Sequence, residues 1–197
     1  MKRKNIILAS ESPRRRDILK KTHLAFRTVG SGYEEKSARG LKPEKLVEKH
    51  ALGKAQKVSE RFNDAVIIGA DTIVVCGNKI FGIPKSKKEA EKMLHHLSGK
   101  MHRVITGIAV VDASSGRNAV KTVETKVYFR KLTGKEIKRY IESGESMDKA
   151  GSYGIQGRAA LFVKKIDGCY LNVVGLPLSE LTLMLKKFGV EIVKSDE

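Results

Sequence analysis

The sequence predicts one α/β domain over residues 1–197, a mixed twisted sheet with flanking helices, and three observations predict it. Apolar strand-like runs alternate with amphipathic segments along the whole chain, which is the pattern of helices layered on a sheet. Two helix-opening signatures, Ser86-x-x-Glu89 and Thr133-x-x-Glu136, fall between such runs. Two long strand patterns, "HRVITGIAVVDA" and "VKTVETKVYFR", are separated by the turn "SSGR" and read as a hairpin, so the sheet is mixed rather than purely parallel.

The elements follow in order. "NIILA" is a short buried strand. Ser12 then caps a helix whose first position is Pro13, where the missing N–H costs nothing, and which runs to about Lys21. "AFRTV" is strand-like and "SGYEEKSARGLKP" a polar loop. Residues 43–61 form an amphipathic helix with Leu46, His50, Ala51 and Val58 near one face. "AVIIGADTIVV" is a buried strand, and "CGNK" turns into "IFGIP". The Ser86 helix ends near Ser98-Gly99, and the hairpin follows. The Thr133 helix stops at Gly144 and gives way to the glycine-rich stretch "GESMDKAGSYGIQGRA". "ALFVKKI" and "CYLNVVG" read as short strands before a last helix from about Leu178 to Phe188. No repeat or linker interrupts the series.

Composition narrows the class of protein. No apolar run approaches the ~20 residues of a membrane span. The basic start "MKRKNIILASESP" has too short an apolar stretch for a signal peptide, so a cytoplasmic location and no membrane partner are expected. Cys76 and Cys169 are far apart and in no metal-binding spacing. The net charge of +17 favours polyanionic partners. Yet the lysines are scattered and aromatics make up only 6%, so a stacking platform for nucleic acid is not expected.

Four stretches carry possible chemistry. In "LASESPRRRDIL" the helix begins with three arginines, although its N-terminus favours anions. With the Ser10 and Ser12 hydroxyls and the free N–H groups, one or two of them would make an anion site; otherwise they are solvated cations behind an ordinary cap. In "VIIGADTIVV", Asp71 interrupts an apolar strand, and a buried carboxylate needs a cation, a metal or donors. It is either a base or metal ligand, or a strand-end residue accepting backbone hydrogen bonds. Glu34 and Glu35 in "SGYEEKS" suit an oxygen-loving divalent cation or are surface charge. "MDKAGSYGIQGRAA" allows a tight loop that brings Gln156 and backbone close to a ligand, or is a plain loop. His23, His50 and His102 read as partly buried structural residues, and neither HExxH, G-x-S-x-G nor a P-loop is present.

Taken together, "LASESPRRRDIL", "EE" at 34–35, "KA" at 54–55, "IGADTIVV", "EAEKMLHHLSGKMHRVITG", "YIESGESMDKAGSYGIQGRAALFVKKIDG" and "NVVGLPLSEL" resemble, in this order, the Maf family (septum formation inhibitor Maf) of nucleoside triphosphate pyrophosphatases. The resemblance covers nearly the whole chain. It implies a fold with a deep nucleotide-binding cleft, like that of inosine triphosphate pyrophosphatase. It also implies a homodimer, and hydrolysis of a nucleoside triphosphate to monophosphate and pyrophosphate with Mg²⁺ or Mn²⁺.

The motifs "SPRR", "GADT" and "GIQG" are similar to those of the branch acting on dTTP and UTP, which implies that Arg14, Thr72 and Gln156 select the base. The resemblance further implies Asp71 as proton acceptor and metal ligand, Glu35 as metal ligand, and Ser12, Arg15 and Lys54 on the phosphates. One departure stands out: "FGIPKSKK" places Ile83 where the family carries a lysine, with Lys85 two residues on. The alternatives are the same chemistry on another nucleotide, such as 7-methyl-GTP, or a nucleotide- or nucleic-acid-binding protein weakened in turnover through Ile83.

Overall fold

A computed structural model describes residues 4–35 and 40–192. Positions 36–39 of the expected polar loop lie outside the described residues. Among the described residues the sheet has seven strands: β1 (Ile6–Leu8), β2 (Arg27–Thr28), β3 (Val66–Cys76), β4 (Lys79–Phe81), β5 (Met101–Asp112), β6 (Asn118–Phe129) and β7 (Val163–Asp167). They are ordered β2-β1-β3-β5-β6-β7, with β4 also on β3. β1 is parallel to both β2 and β3, whereas β3/β4 and β6/β7 are antiparallel, so the sheet is mixed as expected.

The chain divides into two compact units, and β3, β5 and β6 each contribute to both. The first unit holds the chain up to Asp71, Thr106–Val123 and the chain from Gly175 on. It contains α1 (Pro13–Lys20), α2 (Pro43–Ser59) and a C-terminal helix, Leu178–Lys187, one residue shorter than expected. Its core joins Ile7, Ala51, Ala55, Val58, Ile67 and Ala109. Two glycines decide how α2 sits on it. A Cβ at Gly69 of β3 would run into the backbone carbonyl oxygen of Ala51, and one at Gly107 of β5 into that of Val47. The helix backbone therefore lies directly on two neighbouring strands, with Ala51 and Ala55 fully buried beneath it. We expect Gly69→Ala to cost ~1–3 kcal/mol, as for other overpacked cores, measured by chemical denaturation; unchanged stability would mean the helix is not seated so closely.

The second unit holds Thr72–Ile105 and Glu124–Val174. Here α3 (Lys87–Leu97) packs against α4 (Gly134–Glu142). Thr133 and Glu136 form the full reciprocal capping box. The Ser86 signature is half of one: Ser86 accepts from the Glu89 N–H, but the Glu89 carboxylate accepts from the Lys85 N–H instead. Phe129, Tyr153 and His102 stack edge to face, with centroids 4.8 to 5.3 Å apart. Burial holds the His102 imidazole down at about 4, so it is neutral here.

Two expectations are corrected in this unit. "CYLNVVG" is not a strand but contains α5, a short helix over Tyr170–Val174. Its valines carry a strand-like signal, but side chains anchor the segment. Buried Asn172 donates through Nδ2 to the Val104 carbonyl (3.1 Å) and to Thr125 Oγ1 (3.0 Å), while the Cys169 N–H also donates to Thr125 Oγ1. "ALFVKKI" begins as a 3₁₀ turn, Arg158–Phe162, and the strand starts only at Val163.

Candidate active site

Asp71 lies at the end of the first unit's share of β3 and is 5% exposed. Its two oxygens have separate partners. Lys54 Nζ donates to Oδ1 at 2.6 Å, and His50 Nδ1 lies 3.3 Å from Oδ2. His50 and Lys54 are four residues apart on α2, hence on one face, and the close seating of α2 at Gly69 holds that face beside Asp71. An ionised carboxylate only accepts, so His50 Nδ1 carries the proton in this contact. Burial alone would raise the Asp71 pKa. The His50 hydrogen bond, the Lys54 ammonium and the Arg15 guanidinium outweigh it and hold the carboxyl well below the usual range. Asp71 is thus an anion at any physiological pH.

The loop before α2 brings Glu35 to the same place. Lys54 Nζ lies 2.6 Å from Glu35 Oε1 as well as 2.6 Å from Asp71 Oδ1. Arg61 pins the loop through Nη1 and Nη2, each 3.3 Å from the carbonyls of Gly30 and Ser31. The Tyr33 ring fills the space that a Cβ at Gly53 would take, between His50 and Lys54 on α2. It also lies 6.0 Å, centroid to centroid, from the His50 ring.

α1 supplies further cations near Asp71. Ser12 Oγ caps the helix by accepting from the Arg15 N–H, and no acidic residue lies in the first turn. Arg15 is held across the helix start: Nε donates to the Gly175 carbonyl at 2.8 Å and Nη1 to Ser10 Oγ at 3.4 Å. Burial lowers the Arg15 pKa and the nearby Asp71 and Glu35 charges oppose the shift, so it stays a cation. Arg14 is half-buried on the same helix.

The structure thus gathers Asp71, Lys54 and Glu35, with Arg15 in electrostatic reach and Ser12 at the head of α1. Thr72 and Gln156 belong to the second unit; Thr72 follows Asp71 on β3, and Gln156 is exposed in a turn after Ile155. Ile83 follows β4 and is 60% exposed. Lys85 is also exposed, its backbone N–H tied to Glu89. His50 and Tyr33 join the site without being marked by any motif in the sequence. For His50 a signal existed, since it shares the Lys54 face of a helix next in order to the Asp71 strand. For Tyr33 there was none.

The donor set suits a divalent cation. Ligand atoms of Glu35, His50 and Asp71 all lie within 4.8 Å of one another. An octahedral ion with bonds of 2.0–2.1 Å spaces opposite ligands by about 4.2 Å. The half-exposed Glu35 side chain can close that difference, and two carboxylates match a hard ion.

The fold and the site define an α/β protein whose cations and carboxylates converge on one buried aspartate. The chain belongs to the Maf-like protein family, whose model matches residues 5–188. It is 49% identical over 190 residues to a protein of Pelotomaculum thermopropionicum named dTTP/UTP pyrophosphatase, covering 96% of this chain and 100% of that one. It is 53% identical over 183 residues to a protein of the same name from Alkaliphilus metalliredigens, covering 92% and 95%. The solved structure of the Staphylococcus aureus Ham1 protein has the same fold, with a TM-score of 0.54 over 94% of this chain and 100% of that one at 14% identity.

Proposed function

We propose that this protein is a nucleoside triphosphate pyrophosphatase that hydrolyses dTTP and UTP to the monophosphate and pyrophosphate, with Mg²⁺ or Mn²⁺ as cofactor. The observation that carries the reading is the near full-length identity of about half to relatives bearing that name. The site supports it chemically. In this reading water attacks the α-phosphorus and the bond to the oxygen bridging towards the β-phosphorus breaks. Asp71 accepts the water proton, and its ionised state keeps an acceptor available. Arg15, Lys54 and the α1 start capped by Ser12 neutralise and orient the phosphates, so three cations in place of acids at that helix end cease to be a misfit. Glu35 and Asp71 would hold the divalent cation, which when bound stabilises the charge growing on the pyrophosphate leaving group.

Arg14, Thr72 and Gln156 are assigned to base and sugar by their place in the "SPRR", "GADT" and "GIQG" motifs. The whole chain acts as one domain, as a homodimer in the cytoplasm, in keeping with the family resemblance; no helix of the described residues is long and apolar enough to cross a membrane. Pyrophosphate release from a panel of triphosphates tests the reading. We expect kcat/KM for dTTP and UTP to exceed that for GTP and ATP by at least about tenfold, because a purine edge would leave the polar groups of residues assigned to the base unpaired. A purine nucleotide as best substrate would overturn the base assignment. Binding without any hydrolysis would place the loss at Ile83.

A further inference from the structure

Both oxygens of Asp71 are engaged, Oδ1 by Lys54 and Oδ2 by His50. Each oxygen keeps a second lone pair, so a divalent ion can join Asp71 beside either partner, but an ion shared by Asp71 and Glu35 must take the place of whichever partner lies between them. Lys54 is the one that also holds Glu35, at the same 2.6 Å, so a single ammonium bridges the two carboxylates to which the metal is assigned. Its side chain is only 12% exposed, against 51% for Glu35. Lys54 is a point charge on a flexible four-carbon stem, able to leave and find a new anion, whereas His50 is fixed within a buried helix face.

We propose that Lys54 is an internal counter-ion that competes with the divalent cation for Glu35 and Asp71, and that its expulsion by the metal delivers the ammonium to the substrate phosphates. This rests on the assignment of the metal to those two carboxylates. It adds an order of events: metal entry and release of Lys54 are one step. It also gives Lys54 two roles that exclude each other in time, holding the carboxylates together before the metal arrives and meeting phosphate afterwards. By linkage, whatever holds Lys54 elsewhere strengthens metal binding by the same factor that metal binding frees Lys54.

The test is Mn²⁺ affinity without nucleotide, by calorimetry or by the paramagnetic resonance of free Mn²⁺, in the wild type, Lys54→Met and Asp71→Asn. Lys54→Met should bind Mn²⁺ about tenfold tighter or more, within the usual span of coupling between two ligands of one protein. The gain should persist at about 0.5 M salt, because direct competition is not screened as long-range repulsion is. Unchanged or weaker binding in Lys54→Met, or a gain that vanishes at high salt, overturns the proposal while leaving the metal assignment standing. Mn²⁺ affinity that Asp71→Asn leaves intact removes the metal assignment, and the competition with it. Should Lys54→Met fail to fold with Asp71 left uncompensated, Lys54→Gln keeps a donor toward Oδ1 without the charge. It is expected to show the same tightening in smaller measure, and no tightening there is equally decisive.

Discussion

Asp71→Asn lowers kcat by about 10²–10⁴-fold, the share usually carried by a general base, and loss of a metal ligand adds to this. The amide keeps the shape of the side chain. Its oxygen can still accept from Lys54 Nζ, and its nitrogen can donate to His50 in the other ring tautomer. Substrate still binds, as tightly or more so, because a negative charge facing the phosphates has gone. Stability falls somewhat. The Asp71 pKa is lowered by folding, so the ionised carboxylate contributes stability above the ordinary carboxylate range, which is lost as pH falls toward the folded value. An amide forfeits that contribution at every pH. Turnover, nucleotide affinity and melting temperature should be measured on one preparation. A folded Asp71→Asn protein with kcat within a few-fold of wild type would make Asp71 a structural residue and remove the proton acceptor from the mechanism.

Excess EDTA suppresses turnover by at least about 10²-fold, because metal stabilisation of transition-state charge is worth several kcal/mol, and added Mn²⁺ or Mg²⁺ restores it. The protein stays folded under chelation. Without a metal the buried Asp71 already has Lys54, the His50 hydrogen bond and the nearby Arg15 charge, and the Glu35 side chain is half-exposed, so no buried anion is left bare. Unchanged circular dichroism alongside lost activity is the expected pair of results. Hydrolysis undiminished by the chelator would exclude Glu35 and Asp71 as ligands of a required cation.

Much of the fold is legible in the sequence because helix and strand periodicity are local. Thr133 and Glu136 bond each other across one turn, and "SSGR" closes a hairpin between adjacent segments, so neighbours in the chain suffice to specify them. Local pattern misleads at "CYLNVVG", where hydrogen bonds run from Asn172 to Val104 and Thr125, far away in the chain. A run of valines carries no trace of partners so distant, and tertiary contacts override its propensity.

The site divides along the same line. Asp71 was conspicuous because a carboxylate in an apolar strand is expensive wherever the strand lies, and the arginines after Ser12 because they oppose their own helix dipole. Those two oddities, and the ordered motifs that join them to a family, belong to the sequence alone. Only the tertiary structure decided what meets Asp71. Gly69 and Gly107 let α2 settle onto β3 and β5, which carries His50 and Lys54 to the two carboxylate oxygens, and Tyr33 against Gly53 and Arg61 hold the loop that brings Glu35 to Lys54. Each of these contacts joins residues that are separate in sequence, and their distances follow from how closely backbones can pack, a quantity that no pattern along one chain expresses.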